Sequence, residues 1–444
     1  MPIRLIESLA TTSRLSDLFA DHAVLEAMLA FEAALALAEA RTGIIPTSGA
    51  EAIAAAAKPE SFHAGDLARK SLRAGTLSIP LVKALTELAR AQAPEAAGYV
   101  HWGATSQDVS DTAMALLLAK ARAILAEDHA RIMAALRRLS NEHAATVELG
   151  RTLLQAAPPV TFGLKAAGWF AALQRSWATL DAAFESARVL QFGGATGTLA
   201  ALGTHGPAVA AALASELNLT NPPAPWHTHR DRFAQVITAC GIYAGTLGKM
   251  ARDISLLMQT ELAEAFEPGG DGRGGSSTMP HKRNPTACAV ALACANRIPG
   301  EVANFLHGMI QEQERAVGGW QAEWATIANV IQSTGLALES MVEVAEGLTV
   351  NAANMGAHID ATHGVIFAER AMMLLAAKLG RDKAHHLLEE IVKHAAKHHV
   401  KLSDAIRDTP EAANALTPEE LASLESPEQY LGSAEWFRQR LLEP

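Results

Sequence analysis

DRFAQVITACGIYAGTLGKMARDISLLM, residues 231–258, repeats apolar side chains at helical intervals: Phe233, Val236, Ile237, Cys240, Ala244, Leu247, Ala251, Ile254, Leu257 and Met258. That spacing puts them on one face and predicts a long amphipathic α-helix. Thr228 and Asp231 stand at capping-box-like spacing at its start, and Glu267-Pro268-Gly269-Gly270 marks its stop. The same periodicity returns upstream from Asp111, where Met114, Leu117, Leu118, Ala121, Leu125, Ile132, Leu136 and Leu139 share a face. It returns downstream over roughly 288–311 and 325–348. Several long helices of this kind bury their apolar stripes against one another, so the chain is expected to be all-α, built on a bundle. A helix over Leu25 to Arg41 ends at Gly43 and Pro46, and shorter pieces follow to about Ala97. The expected division is an N-terminal helical domain over 1–110, a central long-helix bundle over 111–350 and a C-terminal helical domain over 351–444.

Composition agrees with helix: alanine and leucine dominate the 444 residues and only 5% are aromatic. The net charge of −10 and pI near 5.9 leave no cationic excess for nucleic acid or for an anionic membrane surface. An anionic substrate therefore requires a local cationic pocket. Cys240, Cys288 and Cys294 lack metal-ligand spacing and read as buried free thiols of a reducing compartment. MPIRLIESLATTSRL lacks the apolar core of a signal peptide, and no window is long and apolar enough to span a bilayer, so a soluble cytoplasmic protein is expected.

Between two long helices lies GGDGRGGSSTMPHKRNP, residues 269–285. It is too glycine-rich for a helix and too long for a simple connector, which leaves a flexible linker or a functional loop. Ser276, Ser277, Thr278, His281, Lys282, Arg283 and Asn284 favour the second, because hydroxyls, cations and an amide together suit a carboxylate and developing negative charge. No Gly-Lys-Ser/Thr follows the glycines and Gly-x-Ser-x-Gly is absent, so neither a phosphate loop nor a nucleophile elbow is indicated. HWGATSQDVSDTA, residues 101–113, precedes the first long helix, with Asp108 and Asp111 as candidate helix caps and His101 as a candidate substrate contact or structural donor. Arg315 stands among acidic neighbours as a partner for a substrate carboxylate or a structural ion pair. His394 and His398 share a helical face, but without Cys partners or a His-Glu-x-x-His order they read as solvated, and no metal is expected.

GSSTMPHKRNP closely resembles the mobile-loop motif of the fumarase/aspartase superfamily, and HWGATSQDVSDTA resembles that family's HxGxTSxDxxDTA stretch. The resemblance runs on through His227–Arg232, LLMQTE at 256–261, Gln311–Arg315, Trp320 and Glu323-Trp324, in the manner of its cycloisomerase branch. It implies Ser276 as catalytic base, Lys282 and Asn284 as carboxylate ligands and Thr105 and Ser106 as hydrogen-bond donors to a substrate carboxylate. It implies no cofactor, a small polycarboxylate substrate, and a homotetramer whose active sites each draw on three subunits. Gly150-Arg151-Thr152-Leu153 departs from the family's Gly-Arg-Thr-His by placing leucine where hydratases and lyases carry histidine. An amine or hydroxide leaves poorly without a proton, whereas a carboxylate, with a conjugate-acid pKa of about 4, leaves or attacks unprotonated. Leu153 thus favours lactonisation over a fumarate-releasing lyase. A cycloisomerase taking a sulfonate and a silent helical structural protein are the remaining readings.

Overall fold

The computed structural model describes residues 5–270, 274–275, 279 and 282–443. Helix dominates, with five long members at Ser106–Glu142, Phe162–Ala187, Asp231–Leu257, Thr286–Gly308 and Gly319–Gly347. The strands form two small antiparallel ladders, 147–152 with 155–161 and 265–266 with 349–350. The helix at 231–257 follows its expected course, but two caps do not. Thr228 directs its hydroxyl to the Gln313 carbonyl at 2.8 Å rather than to the helix start. Asp111 lies inside a helix that already begins at Ser106, because the Asp108 carboxylate accepts the Thr105 N–H at 3.0 Å and fixes the start there.

The chain folds as two compact units, the first comprising residues 1–130, 175–248 and 290–340. Its core holds Leu15, Phe31, Leu117, Phe184, Phe233, Val236, Leu247, Ile298 and Ile331, all essentially buried, each worth about 1.5–3 kcal/mol of apolar burial. Small residues set helix spacing here. An added Cβ on Gly248 would stand 2.7 Å from that of Ala295, and one on Gly335 would meet Leu15 at 2.0 Å. The Asp21–Arg41 helix packs against 47–56 and 206–216, and its end is closed by the Thr42 hydroxyl on the Ala38 carbonyl at 2.9 Å.

The second unit comprises 131–174, 249–289 and 341–444. Leu149, Ile359, Phe367, Leu375, Leu388, Ile391 and Leu402 form its C-terminal core. The 147–161 hairpin was not expected, since Pro158 and Pro159 argue against a strand. With only one partner strand, its prolines are tolerated on the open edge. Its two turn residues, Leu153 and Leu154, have φ of 50° and 64°, the left-handed pair that a tight type I′-like hairpin requires.

Candidate active site

The first unit assembles a polar cluster at the start of the 106–142 helix. Asp108 organises it: Oδ1 accepts Gly193 N–H at 3.0 Å and lies 2.7 Å from His227 Nε2, while Oδ2 accepts Gly194 N–H at 2.9 Å and Thr105 N–H at 3.0 Å. Four partners saturate a carboxylate that is fully buried. Asp108 therefore holds the Thr105-Ser106 turn and the 193–194 loop in register. No side chain fits at Gly193, where a Cβ would meet Pro225 at 2.7 Å and His227 at 2.8 Å.

Arg315 reaches into this cluster, and each of its three guanidinium nitrogens gives one hydrogen to a neutral acceptor. Nη1 donates to Thr105 Oγ1 at 2.8 Å, Nε to Gln107 Oε1 at 2.7 Å, and Nη2 to Ser106 Oγ at 3.5 Å. Gln107 is oriented for this by donating its amide to the His227 carbonyl at 2.8 Å and to Asp111 Oδ2 at 3.1 Å. Among the described residues no carboxylate forms an ion pair with Arg315, and neighbouring Glu312 instead accepts Val317 N–H at 2.9 Å. Of the two readings open for Arg315, the structural ion pair has no partner among the described residues. Burial lowers its pKa, while the charges of Asp108 and Asp111 oppose the shift. The guanidinium remains charged in any case.

Beneath lies a second layer. Arg230, almost wholly buried, pairs with Asp111 at 2.7 Å and Glu323 at 2.6 Å, and both carboxylates take further donors, Trp320 Nε1 at 3.0 Å on Asp111 and Gln311 Nε2 at 2.8 Å on Glu323. Burial disfavours the Arg230 charge, but the two carboxylates outweigh it and raise its pKa. The indole of Trp226 and the ring of Phe233 close over the guanidinium. Sequence reasoning singled out none of Gln107, Arg230 or Glu323 as partners, because the pairs join residues about a hundred positions apart and leave no local signature. His101 is also placed here: Nδ1 lies 2.7 Å from Glu32 Oε1, with its own φ at 60°.

In the second unit the ends of the 269–285 loop are tied down. Arg283 donates to the Glu267 carbonyl at 2.8 Å and lies over the Phe266 ring. The Glu267 carboxylate caps the next helix through Ala287 N–H at 3.1 Å and Cys288 N–H at 2.7 Å. Asn284 N–H bonds the Gly274 carbonyl at 3.0 Å, and Lys282 is exposed. Ser276, Ser277, Thr278 and His281 lie outside the described residues. The hairpin carrying Leu153 is anchored by Arg151 on both oxygens of Glu264, at 2.9 and 2.7 Å, with His358 on the same carboxylate at 2.6 Å. Leu153 itself is 96% exposed at the tip.

Elsewhere, His394 and His398 face each other with ring centroids 4.5 Å apart, and His385, His386 and Glu389 bring one ligand atom each within 4.8 Å of one another. All of these are exposed, and the Lys393 ammonium occupies Glu389 at 2.6 Å. The three cysteines are buried and free. No helix among the described residues is long and apolar enough to cross a membrane.

A family profile described as Lyase matches residues 8–300, and one described as Adenylosuccinate lyase C-terminus matches 364–441. The chain belongs to this lyase family, within the fumarase/aspartase superfamily, and has its all-α fold. It is 49% identical to the 3-carboxy-cis,cis-muconate cycloisomerase of Bradyrhizobium diazoefficiens, over 95% of this chain and 94% of the relative. It is 46% identical to the enzyme of the same name from Pseudomonas aeruginosa, over 96% and 92%. The crystal structure of the 3-carboxy-cis,cis-muconate lactonizing enzyme from Pseudomonas putida superposes with a TM-score of 0.93 at 44% identity, covering 99% of this chain and 98% of that one. Members of the family are typically oligomeric and act on small carboxylate substrates.

Proposed function

We propose that this protein is a 3-carboxy-cis,cis-muconate cycloisomerase, an isomerase of the intramolecular-lyase kind, working as a cytoplasmic homotetramer with active sites shared between subunits. The observation that carries the reading is Arg315, a cation presented on neutral hydroxyls and an amide, which leaves its charge to be met by a carboxylate from outside. Thr105 and Ser106 stand beside it as further donors, His101 contributes an imidazole, and Lys282 and Asn284 supply ligands from the 269–285 loop.

In the reaction the distal carboxylate oxygen bonds to the carbon bearing the extra carboxyl group, and a proton is delivered to the neighbouring carbon of the same double bond. The product is the lactone 4-carboxymuconolactone. Charge grows on the carboxylate next to the carbon that is protonated, so the transition state resembles an aci-carboxylate and binds preorganised donors more tightly than the substrate does. Ser276 carries the proton, acting as base in the lactone-opening direction. Leu153 in place of histidine fits this chemistry, since the attacking carboxylate requires no second proton-transfer group.

The test is the ultraviolet absorbance of 3-carboxy-cis,cis-muconate incubated with EDTA-treated protein, with the product identified by NMR. Conversion to the lactone is expected, and folded Ser276→Ala protein is expected to lose about 10²–10⁴ in kcat. No conversion by folded wild-type protein overturns the reading, with the sulfonate analogue and a fumarate-releasing adduct as the next substrates to assay.

A further inference from the structure

Two carboxylates lie buried on the Asp21–Arg41 helix, Glu32 at 1% and Glu39 at 0% exposure. Neither oxygen of Glu39 has a hydrogen-bond partner. Burial and the neighbouring Glu32 charge push its pKa up to about 9, so Glu39 is a neutral acid near pH 7. Glu32 is different: Oε1 stands 2.7 Å from His101 Nδ1, and Oε2 is buried without a partner. The one carboxylate charge of this helix face is thus spent on one imidazole.

His101 is held unusually. Its φ of 60° and that of Gly103 at 70° shape the turn that delivers the chain to Thr105, and Ala104 N–H bonds the His101 carbonyl at 3.4 Å. A left-handed conformation at a residue other than glycine costs about 1–3 kcal/mol and persists where surrounding contacts impose it. The side chain placed by this turn meets Glu32, whose carboxylate, as acceptor, takes an Nδ1–H.

We propose that Glu32 is a positioning residue for the substrate site: by accepting Nδ1–H it orients the His101 ring and pairs with its imidazolium, whose Nε2–H is then the donor for the substrate carboxylate held by Thr105, Ser106 and Arg315. This rests on the proposed reaction and assigns a role to a residue of the Asp21–Arg41 helix that the reaction itself does not use. The charged groups that bear on the imidazole are Glu32 from the 21–41 helix and Asp108 from the 106–142 helix, while Glu39 faces Glu32 as a neutral acid. Burial works against an imidazolium, but Glu32 by charge and hydrogen bond, with Asp108, outweighs it and raises the His101 pKa. The donor therefore stays protonated to higher pH than an ordinary histidine would.

The experiment compares wild type, Glu32→Gln and Glu39→Gln, using nitrogen-15 NMR of the imidazoles, with His101 assigned by its loss in His101→Gln, and the pH profile of lactonisation. In Glu32→Gln the His101 midpoint is expected to fall by about one unit, with KM raised about tenfold at pH 8 and returning towards wild type at pH 6. Glu39→Gln, which replaces an already neutral group, is expected to leave both unchanged. Folded Glu32→Gln protein whose His101 titration and KM profile superimpose on wild type overturns the proposal, as does an equal shift in Glu39→Gln. Should wild type fail to lactonise the substrate, the proposed reaction falls by itself. The dyad is then decided by calorimetric binding of propane-1,2,3-tricarboxylate at pH 6 and pH 8, where Glu32→Gln must weaken binding at the higher pH only.

Discussion

At the scale of single residues, Arg315 and His129 show what burial does to charge. Arg315 spends its donors on uncharged groups, so its charge is uncompensated at contact distance until a ligand arrives. Replacing it by alanine is expected to raise KM and lower kcat/KM by about 10²-fold, as for loss of a charge-assisted pair of about 3 kcal/mol, and by lysine nearly as much because the fork geometry is lost; steady-state kinetics on folded variants decide it. His129 is stacked on Trp177 with ring centroids 4.5 Å apart and hydrogen-bonded to Tyr243 Oη at 2.9 Å. Burial lowers its pKa to about 4, with the Asp181 charge opposing only weakly. The unfolded chain binds a proton here below about pH 6.5 that the folded chain refuses until about 4, so this residue's contribution to stability is complete above 6.5 and declines as the pH falls between those values. Urea unfolding at fixed protein concentration is expected to show a loss of roughly 2 kcal/mol between pH 6.5 and 5. That part of the dependence should be missing in His129→Gln. Arg315 was legible as a candidate because it is a cation in an acidic stretch, but its freedom from ion pairing was not. That depends on Thr105 and Gln107, more than two hundred positions away.

At the scale of elements, the long helices were readable because their apolar stripe repeats over many turns, and the 147–161 hairpin was not. Two prolines and a turn lacking Asn-Gly conceal it. The concealment has a physical cost: two leucines, 96% and 75% exposed, occupy left-handed backbone. Such strain without burial is expected where a tip is retained for what it contacts rather than for the stability of its own turn. Substituting Asn at 153 and Gly at 154 is therefore expected to raise the thermal midpoint or leave it unchanged, while kcat/KM falls. A variant that gains stability with full activity would remove the hairpin tip from the working enzyme. Gly150 is the opposite case, since a Cβ there would stand 2.2 Å from the Pro158 carbonyl oxygen.

At the scale of the whole molecule, an open groove of about 850 Å³ runs over the helices at 162–187, 231–257 and 286–308, lined by Ala178, Ala182, Ala234, Thr238 and Ile242. Small side chains there admit close helix approach, and Ile242 is 55% exposed. The homotetramer proposed above is expected to bury this face. Ile242→Asp is accordingly expected to sediment as smaller species and to lose activity together with the assembly. A tetramer of full activity in that variant would move the interface elsewhere. The long helices were legible from periodicity, and the loop motif pointed to the family. Beyond the cap at Asp108, the support beneath the site was not legible, because Arg230 meets Asp111 and Glu323 across 119 and 93 positions.

That support also dictates an order of events during synthesis. Asp111 leaves the ribosome first, Arg230 follows 119 residues later and Glu323 after a further 93. A nascent chain halted before Glu323 can pair Arg230 with Asp111 alone, and the Gln311 and Trp320 donors that complete the layer arrive only at the end of the same interval. Contacts this remote in sequence form late, after the intervening loops have been closed. Until then the apolar faces of the early helices surround charges that still require water, and truncated or slowly translated chains are the species most exposed to capture by chaperones or to aggregation.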